Sequence, residues 1–118
     1  MRSISAIIIT FLLGIGGAAA ANSTSTRLAE TGAFLLGHAY RCGVPVARVS
    51  HATKVIQDLI VAAAYDASEE KAATSRFSVV FLAAAYPDRD GGGFIPPCKA
   101  VVTQFERLEQ HHQQAGLN

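Results

Sequence analysis

Few residues in this 118-residue chain are of a type that does chemistry, and their spacing limits what that chemistry can be. Cys42 and Cys98 are the two cysteines. They form no Cys-x-x-Cys pair, so the motif of a thiol–disulfide catalyst is missing. His111 and His112 are adjacent. On a helix they diverge and cannot make the i, i+4 pair of a zinc site. His38 and His51 flank an expected turn and can approach each other, but no third ligand is spaced with them, and all four histidines read as solvent-facing. The stretch Asp88-Arg89-Asp90-Gly91-Gly92-Gly93-Phe94-Ile95 partly matches a calcium-binding helix-loop-helix loop. Asp88, Asp90, Gly93 and Ile95 fit positions one, three, six and eight. Gly92 supplies no ligand at five, Lys99 stands where the bidentate glutamate belongs, and Pro96-Pro97 is foreign to the pattern. Weak calcium or metal binding is one reading, and a glycine-rich surface turn is the other. No serine or cysteine has a nucleophile motif around it. The expectation is a non-enzymatic chain with no cofactor and no metal site.

The elements that position these residues follow from apolar periodicity. Met1 to Ser5 is a short basic start, Ala6 to Ile15 is an apolar run, and Ala18 to Ala21 supplies small residues. This is the pattern of a secretory signal peptide, with cleavage expected after Ala21. The expected domains are a leader over 1–21 and a single helical domain over 22–118. Removal of the leader takes away Arg2, so the ten basic residues become nine against nine acidic ones. A formally neutral domain lacks the clustered positive face that nucleic acid requires. Export places the chain in a periplasm or outside the cell, with no stable membrane span after cleavage. It also makes a Cys42–Cys98 disulfide the natural state of the thiols.

Four helices are expected. Helix one runs to Cys42 behind a cap at Ser25 or Thr26, with Leu28, Gly32, Leu35, Leu36, Ala39 and Cys42 as its inner stripe. Gly32 and Gly37 point to the close approach of another backbone or to a loosely held helix. Gly43 suits the left-handed residue that ends a helix, and Pro45 bars continuation. Helix two begins near Pro45 and ends around Tyr65-Asp66, burying Val49, Ala52, Ile56, Leu59, Ile60 and Ala63. Helix three starts at a Ser68 cap, with Glu69 and Glu70 at its positive end, and runs to about Tyr86. Phe77, Val80, Phe81 and Ala84 form its stripe. Val79, Leu82, Ala83 and Ala85 leave so little polar face that this helix is expected to be the most buried; a short buried strand over 77–82 is the rival reading. Helix four runs from Pro97 to about Gln114, with Val101, Val102, Phe105 and Leu108 inward.

Four similar helices on mostly short turns predict an all-α, up-down-up-down bundle. In it the end of helix one and the start of helix four share a pole, which brings Cys42 and Cys98 within bonding reach. The same pole collects Arg41, Arg48, Arg89 and Lys99, with His38 and His51 nearby. These four basic residues are the candidate contact set for an unidentified envelope protein or acidic ligand. The plan of a small exported helical chain with two cysteines is similar to that of the HdeA-type acid-stress chaperones, although the strongly charged composition of that group is missing. The likeness implies a bundle that loosens in acid and exposes apolar helix faces. The leading expectation is an exported accessory or binding protein of the envelope acting through protein contacts, with the acid-stress chaperone as the alternative.

Overall fold

The computed structural model describes residues 23–87 and 94–117; residues 1–22, which include the expected leader, the Asp88–Gly93 stretch and Asn118 lie outside the described residues. The described residues form four helices: α1 over Thr24–Arg41, α2 over Val46–Ala63, α3 over Ala67–Ala85 and α4 over Cys98–Leu117. The expected four-helix, disulfide-closed architecture is what the chain adopts, and the segment 77–82 is helical.

The helix ends follow from local chemistry. The cap of α1 is Ser23, whose hydroxyl accepts from the Thr26 N–H at 3.1 Å. It lies two residues before the expected Ser25, which is fully buried and donates to Glu69 Oε1 at 2.8 Å. Asp66, rather than Ser68, caps α3 by accepting from the Glu69 N–H at 2.8 Å. Aspartate in extended backbone presents its carboxylate to the free N–H groups of a first turn. Gly43 ends α1 at φ +93°, the left-handed region that suits glycine. Helix α4 continues to Leu117, past the expected end at about Gln114, with no proline between them to halt it.

Helix directions can be read from paired residues. Ser25 meets Glu69, Glu30 pairs with Arg76 at 2.7 Å, and Gly37 sits against Ala84. The numbers rise together, so α1 and α3 run parallel. Gly32 faces Ile56, the arrangement of an antiparallel α1–α2 hairpin. Helix α4 starts beside the end of α1. The chain therefore alternates up and down.

The bundle is not square, however. First and third helices occupy opposite corners of a square bundle, whereas here α1 and α3 make the closest approach. A Cβ added at Gly37 would lie 2.6 Å from both Ala84 Cβ and the Phe81 carbonyl oxygen. Small residues permit this: Ala29, Ala33 and Ala39 of α1, and Ala73, Ala84 and Ala85 of α3, are all buried. Helix α1 is consequently surrounded on several sides. Its buried set, Ser25, Ala29, Gly32, Ala33, Leu36, Gly37, His38 and Ala39, is wider than a single stripe. Leu36 and Ile60, both fully buried, and Val101 and Phe105 from α4 share its core.

This corrects the expectation for α3. Only Ala73, Phe77, Ala84 and Ala85 of that helix are buried, while Val79 is 58% and Leu82 57% exposed. Central position goes to the helix whose small side chains let neighbours come close, not to the one with the most apolar side chains.

Candidate functional site

Two regions combine chemistry with access. The first is the disulfide pole. Cys42 caps the end of α1 and Cys98 opens α4, with Cα atoms 5.5 Å apart in a disulfide. Disulfides persist in oxidising compartments and are rare in a reducing cytosol. Among the described residues no helix is long and apolar enough to cross a membrane.

Arg41 organises this pole. Its Nε donates to His38 Nδ1 at 2.9 Å, one Nη donates to the Pro96 carbonyl at 3.0 Å, and the other reaches Cys98 Sγ at 3.5 Å. One side chain thus ties the last turn of α1 to the start of α4 alongside the covalent link. His38, expected at the surface, is 2% exposed. The Phe34 ring lies edge-on to it at 4.5 Å. Because Nδ1 accepts from Arg41, the neutral ring must carry its proton on Nε2. Burial, and then the Arg41 charge, hold its pKa below the usual 6.5.

The other basic candidates fare differently. Arg48 is turned to α4, where Nε donates to Glu109 Oε2 at 3.0 Å and the guanidinium lies 5.4 Å from the Phe105 ring centroid. The hydrogen bond to Glu109 holds it above its ordinary pKa. Lys99 is exposed in the first turn of α4. Arg89, like Asp88 and Asp90, lies outside the described residues. Two of the four predicted contact residues are therefore committed to internal partners, and their reversal to glutamate would disturb the fold as well as any docking.

Histidine pairing also departs from expectation. His51 meets His112, ring centroids 5.5 Å apart, instead of His38. The two rings flank a shallow cleft between α2 and α4, lined also by Ala52, Val55, Leu108 and Glu109. The packing of α4 against α2, which also joins Arg48 to Glu109, produces this pairing, and no one-dimensional spacing encodes it. Among the described residues no three His, Cys, Asp or Glu side chains gather as metal ligands. Ile95, which a calcium loop would turn inward, is 49% exposed.

The second region is the outer face of α3. Val79, Leu82, Ala83 and Tyr86 recur at i, i+3, i+4 and i+7, and all four are exposed. Tyr40 of α1 extends the patch, its ring 6.2 Å from Tyr86 and 6.3 Å from Phe81. Helix α3 has two apolar faces, one packed on α1 and one turned to solvent. The sequence carried this signal, in the missing polar face after Arg76, but it read as burial.

No protein-family model, curated protein or solved structure matches this chain.

Proposed function

We propose that the chain is a non-enzymatic binding protein of the cell envelope, exported to the periplasm or secreted, that docks another exported protein through the outer face of α3. One observation carries this reading: from Phe77 to Tyr86 the helix bears no charged side chain, although Val79 and Leu82 are more than half exposed. The solvent face of a surface helix is ordinarily polar. One helix face offers a few hundred Å², well short of the ~800 Å² per partner of a standard stable interface. That area fits a transient contact with a partner presenting one apolar helix of its own, seated along the α3 ridge.

The test is a cross-linking pull-down from envelope extract, comparing wild type with Leu82→Glu and Val79→Glu. Both positions are exposed, so the variants keep the wild-type fold by circular dichroism. Capture of a discrete partner should fall at least tenfold in either variant. Equal capture by all three proteins would remove α3 as the docking face.

The contact between His38 and Arg41 favours a second reading, the acid-responsive chaperone. A protonated His38 cannot accept from Arg41 and adds a second positive charge beside it. Acid would then loosen the α1–α4 pole and uncover apolar core faces. Binding of an apolar-surface dye, followed from pH 7 to pH 3 with the disulfide intact, should rise as clients become protected from aggregation. Flat fluorescence without client protection ends this reading.

A further inference from the structure

We propose that the Cys42–Cys98 disulfide is a thiol-exchange site as well as a staple, with Cys98 as its low-pKa leaving group and Arg41 as the residue that positions and stabilises the released thiolate. Three features of the Cys98 sulfur carry this. The Arg41 guanidinium lies 3.5 Å from it, at an exposed position. Cys98 is the first residue of α4, a twenty-residue helix whose leading N–H groups have no carbonyl acceptors within the helix. The chain here is exposed: Cys98, Lys99 and Ala100 are all open to solvent. A neighbouring cation and a helix N-terminus each lower a thiol pKa. Cys42 lies at no helix N-terminus, and the Arg41 guanidinium beside both sulfurs donates to Cys98 Sγ rather than to Cys42 Sγ. Cys42 is half-buried against the core at the C-terminal end of α1, where the helix dipole opposes a negative charge.

The asymmetry sets the direction of the reaction. An external thiolate, from a small thiol such as glutathione or from a cysteine-bearing polypeptide, attacks Cys42 Sγ. The S–S bond breaks, a new S–S bond joins the attacking sulfur to Cys42, and the electron pair leaves on Cys98. A second thiol then attacks the reagent sulfur of the mixed disulfide and releases Cys42. Two external thiols are oxidised to one disulfide, and the protein disulfide is reduced to two thiols. The exchange accelerates as the leaving thiol becomes more acidic. Among the described residues, the charged groups available to the released sulfur are Arg41 from α1 and, on α4 itself, the adjacent Lys99. His38 stands behind Arg41 and fixes its Nε.

The native oxidised protein provides the first test. It is incubated with reduced glutathione, quenched with N-ethylmaleimide and mapped by mass spectrometry. Glutathione is expected on Cys42 and the maleimide on Cys98; the reverse assignment, or no reaction until the protein is unfolded, overturns the proposal. The second test follows thiolate absorbance at 240 nm in the reduced protein. One thiol should titrate at least a unit below the ordinary ~8.5. Arg41→Gln should raise it by about one unit, a roughly tenfold loss of thiolate at pH 7. Arg41→Lys should fall between, and Arg48→Gln should leave it unchanged. Two thiols titrating at or above 8.5, including the case in which reduction unfolds the chain, or a pKa indifferent to Arg41→Gln, overturns it.

Discussion

His38 and Gly37 show how much depends on single side chains around α1. His38 is buried and accepts from Arg41, so its charged form is disfavoured in the native state. Its folded pKa lies below the unfolded value of about 6.5. The unfolded chain therefore binds the proton first as pH falls. The stability that neutral His38 contributes is fully present above about pH 6.5 and is lost progressively as pH drops toward the folded pKa. Urea unfolding across pH 7.5 to 5 should show this decline. His38→Asn, which keeps an acceptor near the Nδ1 position but cannot titrate there, should flatten it. The two helix-face glycines make a contrasting pair. Gly37→Ala would drive a methyl into the Phe81 backbone carbonyl and the Ala84 Cβ, neither of which is the end of a flexible side chain that could yield. The expected cost is about 3 kcal/mol. Gly32→Ala meets only the flexible side chain of Ile56, at 2.9 Å. Its strain should be offset by the ~1 kcal/mol helix preference of alanine over glycine, leaving a small net change in chemical denaturation.

At the scale of elements, α3 is held at its start by a relay. Asp66 caps the Glu69 N–H, and the Glu69 carboxylate accepts from buried Ser25 across the α1 boundary. Asp66→Ala should cost about 1 kcal/mol as a lost cap. Glu69→Ala should cost about 1 kcal/mol, the loss of one hydrogen bond between α1 and α3, because the Ser25 hydroxyl keeps Ser23 Oγ as a partner at 3.0 Å. The two faces of α3 should respond in opposite ways. Phe77→Ala empties a core position that is 5% exposed, at about 3–5 kcal/mol. Leu82→Ser on the outer face should stay within about 0.5 kcal/mol. Thermal or urea unfolding of the pair separates a face kept for packing from one kept for contact; equal losses would mean that Leu82 is a core residue in solution.

Across the whole molecule, the disulfide and Arg41 join the same two helix ends, one covalently and one through hydrogen bonds. The bridge spans a sequence separation of 56, and closing such a loop stabilises by about 4 kcal/mol on the chain-entropy account. Replacing both cysteines by serine should therefore remove a large share of the ~5–15 kcal/mol typical of a small domain, read as a lower urea midpoint. Arg41→Leu in the oxidised protein should cost less, because the covalent link keeps the ends together while the Pro96 carbonyl loses its donor.

The sequence alone determined the number, order and approximate limits of the helices, because period, proline and glycine act within a few residues of one another. Gly43 and Pro45 mark the α1–α2 turn wherever the rest of the chain goes. It determined the disulfide too, since alternating rods of similar length return the chain to the same pole. Only the tertiary structure decided which helix is central. Long apolar side chains made α3 the natural core helix on composition, but burial depends on how near neighbours can come. Gly37 and the alanines of α1 allow the nearer approach. The same packing turned His38 inward and set Arg41 and Arg48 on internal partners. It also left Val79 and Leu82 facing water, because a helix touching essentially one neighbour can hide only one side.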